Sequence, residues 1–289
     1  MRVAGPLLVW LASLTLLACD AGRAEPPRRN ASETAPAPRS AAVRSESDAD
    51  YAAPDGSGWG RAGELRYLEQ VLGAADAGAP LPMVVMIHGL GDAPRNVWLA
   101  EPVDPAVRLI MPRAPLPYHG GYSWFENRVA DDQPRALARG VARASDQLAR
   151  TLQILARRRP TLGRPIVGGF SQGGMLSYAL AVRHPEVVEV SHPISGMLPR
   201  PLWPRQRPAG RVPPIRASHG NADRVVPIEA AQALVSHLIR LGYDARLEEF
   251  PGVPHRISRA MSARLREVVL GATGRVRELG EASKSRGGM

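Results

Sequence analysis

One cysteine and one lysine stand in 289 residues, and each scarcity closes off a chemistry. Cys19 is the lone cysteine, so neither an internal disulfide nor a thiolate metal cluster is available. Lys284 is the lone lysine, and the net charge of +10 is therefore carried by arginine, spread through tail, helices and loops without forming blocks. That distribution reads as a solvated surface. There is no aromatic-and-basic stripe, no zinc spacing and no recognition-helix pattern, so nucleic acid is not expected as a partner, whereas anionic lipid headgroups suit such a charge. There is also no internal repeat. The hydrophobic content of 44% is ordinary and leaves a sizeable core available to one large domain or two small ones.

The N-terminus is organised as a leader. Met1-Arg2 is followed by a mostly apolar run, Val3 to Leu17, too short for the ~20 residues a spanning helix needs. The run ends in Leu16-Leu17-Ala18-Cys19, which resembles the lipobox of bacterial lipoproteins, although Leu17 is less usual there than a small residue. This resemblance implies a signal peptide over 1–18 and lipidation of Cys19. An ordinary cleaved signal, or an uncleaved anchor with an incidental buried cysteine, is the alternative. Residues 19–60 are rich in Ala, Pro, Ser, Arg and acidic residues with no sustained apolar period, and are expected to form a disordered tether spanning about 35 Å. The protein would then be lipid-anchored to a bacterial membrane outside the cytoplasm, on the periplasmic side or at the cell surface.

From Arg61 the texture changes, and residues 61–275 read as one domain with a polar tail over 276–289. Strands are expected near Leu65 to Glu69, Leu81 to Ile87, Val107 to Met111, Pro165 to Val167, Val187 to Ile194, Pro214 to Ala217 and Ala245 to Phe250. Helices are expected over Arg135 to Arg158, where Leu137, Val141, Ala144, Leu148, Leu152 and Leu155 recur at steps of three and four, and over Met175 to Val182, Pro227 to Leu241 and Ser258 to Leu270. Strands alternating with helices of this length predict an α/β fold with a mostly parallel sheet covered on both faces. Reactive residues then belong at the carboxyl ends of the strands.

Gly169-Phe170-Ser171-Gln172-Gly173-Gly174 lies between a short buried strand and a helix. A G-x-S-x-G in that setting forms a turn so sharp that side chains at the two glycines would collide with backbone, and it lifts the serine above the sheet edge. The following helix points its N-terminus at that oxygen. The competing reading of Ser171 is a plain helix cap. A serine nucleophile needs a base and a carboxylate to orient that base. Asp223, in the loop of Ser218 to Pro227, and His255, in the loop of Gly252 to Ser258, each follow a strand. As lone residues they would read as a helix cap and an exposed histidine. The chain order Ser171, Asp223, His255 is that of the α/β-hydrolases. His219 precedes Asp223 too closely to be expected to face it across the site. His88-Gly89-Leu90-Gly91-Asp92, directly after the strand ending at Ile87, offers the Leu90 backbone N–H as one oxyanion donor, and Gln172 after the serine offers the second.

These motifs, with Val225-Val226-Pro227, Pro112-Arg113-Ala114-Pro115, Trp124-Phe125 and Ser195-Gly196-Met197-Leu198-Pro199, resemble the phospholipase/carboxylesterase family of α/β-hydrolases, which includes acyl-protein thioesterases and small bacterial carboxylesterases. The likeness runs from about Leu81 to Leu270. Glu126 departs from the aspartate more usual after Trp-Phe, and the leader is an addition to the family pattern. The resemblance implies an α/β-hydrolase fold with a minimal lid, since Pro199 to Pro214 is short. It also implies a serine esterase for small to medium acyl esters, with no metal or organic cofactor. Tyr122, Trp124, Phe125 and Met197 are the candidates for the acyl pocket, with ordinary core packing as their other reading. Two rival functions remain open at the level of sequence: a secreted polyester depolymerase or feruloyl-type esterase, and a lipoprotein using a hydrolase scaffold only to bind.

Overall fold

The computed structural model describes residues 58–286 apart from 96–98 and 100–102, with side chains described as far as 278. The expected leader, lipidation residue Cys19 and most of the tether lie outside the described residues. Among the described residues, ten strands and four α-helices follow one another as β1 (Gly58–Ala62), β2 (Leu65–Leu72), β3 (Leu81–Ile87), β4 (Val107–Pro112), β5 (Leu116–Tyr118), β6 (Gly121–Ser123), α1 (Pro134–Arg158), β7 (Thr161–Phe170), α2 (Gln172–Arg183), β8 (Val190–Ile194), β9 (Ile215–Gly220), α3 (Ile228–Arg240), β10 (Ala245–Phe250) and α4 (Arg259–Arg286).

Eight of the strands form one sheet in the order β1-β2-β4-β3-β7-β8-β9-β10, and β5 with β6 make a separate hairpin. β1, β2 and β4 pair antiparallel, and every pairing from β4 through β3, β7, β8 and β9 to β10 is parallel. β3 is buried along its whole length, as a central strand covered on both faces must be. Its alternate residues divide the core: Met83, Val85 and Ile87 join side chains of α1, α2 and α3 on one face, whereas Val84 and Met86 join α4 with Leu99 and Val103 on the other. The expected α/β layering with a mostly parallel sheet is observed.

Both domain edges differ from the sequence reading. At the start, β1 begins at Gly58, inside the stretch read as tether, and pairs with β2 from Gly58↔Glu69 to Ala62↔Leu65. Gly-Trp-Gly-Arg-Ala carries too little apolar periodicity to announce a strand; its register comes from its neighbour. At the other end, α4 runs to Arg286, through the expected polar tail. Met261, Leu265, Val269, Ala272 and Val276 are all buried at steps of three and four, and Val276 packs over Gly163, where φ is 63° and a Cβ would lie 2.7 Å from a Val276 methyl group. Polar residues on the outer face hid a buried stripe.

An ion-pair network ties the antiparallel edge to the rest. Arg108 of β4 is 1% exposed and meets Glu69 of β2 at 2.5 Å, while Arg159, at the end of α1, grips the same carboxylate at 2.8 Å. Arg108 also donates to the Ala77 carbonyl at 2.7 Å. Burial alone would raise the Glu69 carboxyl pKa, but hydrogen bonds from Arg159 and Arg108 outweigh that and hold it below its ordinary 4.5. A depressed folded value means that the stabilisation is complete above the unfolded pKa and disappears as pH falls through the folded one. Glu69→Gln is therefore expected to cost about 2 kcal/mol in urea unfolding at neutral pH, because it leaves the buried Arg108 charge short of its partner. The difference from the parent should shrink as pH is lowered below 4.5. A pH-independent difference would contradict this assignment.

Candidate active site

β7 ends at Phe170, α2 begins at Gln172, and Ser171 between them has φ 56° and ψ −115°. This backbone is costly for a non-glycine residue and persists only where the surroundings over-determine it. Here they do: a Cβ on Gly169 would lie 2.5 Å from the Gly173 carbonyl oxygen, and one on Gly173 would run into the carbonyl of Ile87 at the end of β3. The Ser171 N–H donates to the Ile194 carbonyl of β8 at 3.0 Å, and its own carbonyl accepts the Met175 N–H at 2.9 Å. The elbow read from sequence is present, with the serine side chain at the strand ends.

The loops after β9 and β10 bring Asp223 and His255 to it. The Asp223 side chain is fully buried, and its Oδ1 accepts the backbone N–H groups of Val225 and Val226, both at 2.9 Å. Its Oδ2 lies 2.7 Å from His255 Nδ1, and His255 Nε2 lies 2.9 Å from Ser171 Oγ. Because the carboxylate can only accept, Nδ1 carries the proton and Nε2 is free to accept from the serine hydroxyl. The Phe170 ring packs on the imidazole with centroids 4.8 Å apart. His219, which the sequence reading set aside, also approaches the carboxylate: its Nε2 is 2.8 Å from the Val226 carbonyl and 3.4 Å from Asp223 Oδ2. The loop doubles back between the two residues, which places them side by side and not across the site. Burial lowers the His219 pKa, so the ring is neutral and serves as an N–H donor.

On the other side of Ser171 the loop after β3 is held by a second neutral histidine. His88 Nε2 accepts the Ala114 N–H at 3.2 Å, which leaves Nδ1 to donate to the Gly89 carbonyl at 2.7 Å. Burial lowers this ring's pKa as well. Trp124 donates its indole N–H to the His88 carbonyl at 3.0 Å, and the hairpin closes onto the loop through Gly91 N–H to Tyr122 carbonyl and Tyr122 N–H to Asp92 carbonyl, both 2.9 Å. The Gln172 side chain fastens the same segment to α2, with Oε1 accepting the Trp124 N–H at 3.0 Å and Nε2 donating to Ser123 Oγ at 3.1 Å. Leu90 and Gln172 both border the cavity beside Ser171, and neither backbone N–H donates to a described protein acceptor.

That cavity has a volume of about 390 Å³. Leu90, Phe125, Val129, Ala130, Met175, Val225 and Val226 supply its apolar lining. Of the four expected acyl-pocket residues only Phe125 is among them. Trp124 is spent on the His88 carbonyl and ring, Tyr122 lies beneath the Arg113 guanidinium at 4.7 Å, and Met197 packs against the core shared by α1 and α2. Met175 was missed although it stands one helical turn after Ser171, on the same side of α2. Val129 and Ala130 sit in a single 3₁₀ turn, which has no periodic signature.

The likeness to known proteins covers the span that holds these residues. The model of a family described as phospholipase/carboxylesterase matches residues 74–269. A probable carboxylesterase of Oryza sativa subsp. japonica is 31% identical over 206 residues, covering 64% of this chain and 76% of the rice protein. Acyl-protein thioesterase 1 of Mycosarcoma maydis is 26% identical over 203 residues, covering 61% of this chain and 85% of its own. Among solved structures, esterase PE8 superposes with a TM-score of 0.59 at 30% identity, over 69% of this chain and 97% of that one. The chain belongs to the phospholipase/carboxylesterase family of α/β-hydrolases, serine hydrolases that act on ester bonds.

Proposed function

We propose that the protein is a serine carboxylesterase for small to medium acyl esters, with Ser171 as nucleophile, His255 as general base and Asp223 as its orienting carboxylate. The continuous chain Asp223–His255–Ser171, with contacts of 2.7 and 2.9 Å, carries this reading. Ser171 Oγ attacks the ester carbonyl as His255 Nε2 takes its proton, and the charge that develops on the carbonyl oxygen is met by the Leu90 and Gln172 N–H groups. One such donor is typically worth about 10²–10³ in rate. The imidazolium then gives its proton to the leaving alcohol, and the acyl group stays on Ser171. Water, deprotonated by the same histidine, attacks the acyl-enzyme and releases the acid. Asp223 remains ionised throughout, stabilising the imidazolium and fixing its tautomer. The apolar cavity of about 390 Å³ would receive the acyl chain.

Hydrolysis of p-nitrophenyl esters from acetate to laurate tests the assignment. The full-length parent should show an optimum at short to medium chains. Asp223→Asn should lower kcat by roughly 10⁴-fold and Ser171→Ala by roughly 10⁶-fold. A parent and Ser171→Ala variant that are equally active, or equally inactive on every ester, would overturn it.

The same reading places the enzyme outside the cytoplasm, tethered by a lipid on Cys19 through residues 19–60. Its support is the sole cysteine at the end of the apolar N-terminal run. In a bacterial host that processes lipoproteins, Cys19→Ala is expected to move the protein out of the membrane fraction. Retention of that variant in the membrane would contradict lipid anchoring.

A further inference from the structure

The cavity beside Ser171 is apolar along most of its lining and carries charge of one sign. Arg128 and Arg224 are its charged lining residues, and no aspartate or glutamate lines it. Arg128 is already engaged, with its guanidinium 3.4 Å from Asp131 Oδ1 and its backbone N–H donating to Asp131 Oδ2 at 2.7 Å. Arg224 is exposed and makes no hydrogen bond or ion pair with any described residue. The adjacent Asp223 carboxylate does not neutralise it, since that side chain is turned inward to His255 and to the N–H groups of Val225 and Val226. Those same N–H bonds, from the two residues after Arg224 to the side chain of the residue before it, fix the turn that carries it. The next residue, Val225, is 57% exposed and lines the same cavity, so Arg224 borders apolar surface there.

We propose that Arg224 selects esters that carry a carboxylate within reach of the scissile bond. This deepens the esterase reading and rests on it. A guanidinium is always charged and presents a planar fork of donors that matches a carboxylate. At the edge of a cavity with apolar walls its field is less screened than on an open surface. An anionic substituent on the substrate would supply the partner that the protein itself does not. The ester carbonyl then lies over Ser171, with the uncharged part of the molecule against Leu90, Met175 and Val226.

Two matched substrate pairs test this with the full-length protein at low salt, each rate corrected for hydroxide-catalysed hydrolysis. Monomethyl adipate against methyl hexanoate places the carboxylate on the acyl side; 4-acetoxybenzoate against 4-acetoxybenzamide places it on the leaving group. In at least one pair kcat/KM for the anionic member should exceed that for the neutral one by about fivefold, a preference of the size a partly exposed charge pair gives. Arg224→Gln should erase that ratio and Arg224→Glu should invert it, and roughly 0.5 M salt should compress it in the parent. Arg240→Gln, on the exposed end of α3, should leave the ratio where it was. A parent that hydrolyses the neutral esters with no preference in either pair, or a preference that survives Arg224→Gln, overturns the selection while leaving the esterase reading intact. Activity on p-nitrophenyl esters with none on any of the four also overturns the selection, whereas inactivity on both sets removes the esterase reading and this inference with it.

Discussion

The site depends on a contact between backbones. β3, β7 and the first turn of α2 approach so closely around Gly169 and Gly173 that neither position has room for a Cβ. Ser171 is forced by this contact into a positive φ, and its Oγ is presented where strand ends and a helix N-terminus meet. The same approach sets the loop after β3 beside the serine, since the Cβ of Ser171 lies within 3.4 Å of where a side chain on Gly89 would start. Two distant stretches of chain thus reach one oxygen atom because glycine lets three main chains touch.

Around this contact, electrostatic order is kept by groups that do not change charge. His88 and His219 are both buried, and in both burial favours the neutral ring. Each uses its N–H to hold a carbonyl, Gly89 in one loop and Val226 in the other. The loop that carries Leu90 and the loop that carries Asp223 therefore have a similar internal brace. His192 is neutral for the same reason, with burial pushing it down to about 4, but it lies within β8 away from the reacting groups. His255 differs from all three in being partly open to solvent, with 16% of its side chain exposed. Only there does the ring bridge a carboxylate and a hydroxyl.

What could be read from the sequence follows from which features are local. Ser171, Asp223 and His255 announced themselves because each sits in a short loop between elements of opposite period, and the parallel topology then gathers those loops at one edge. The positions of Leu90 and Gln172 at the cavity beside Ser171 were legible for the same reason, as neighbours of a strand end and of the elbow serine. The residues that line the cavity beside Ser171 were less so. Trp124 is aromatic and close to the site, yet its indole N–H requires an acceptor when buried and finds one in the His88 carbonyl, which directs the ring into the core. Val129 and Ala130 reach the cavity from an irregular turn, and no property of their own sequence points there. The ends of the domain were hidden by a similar dependence on context: β1 takes its register from β2, and the last turns of α4 bury Ala272 and Val276 beneath a polar outer face.

The proposed mechanism requires Ser171 to be the activated nucleophile, and covalent capture reads that directly. Full-length protein treated with a fluorophosphonate probe and mapped by peptide mass spectrometry should carry one phosphonyl adduct on the peptide containing Ser171. Labelling should be lost in Ser171→Ala and should slow strongly in His255→Ala, because the probe reacts only with a serine whose proton has somewhere to go. An adduct on another serine, or labelling at Ser171 that proceeds equally fast without His255, would contradict it.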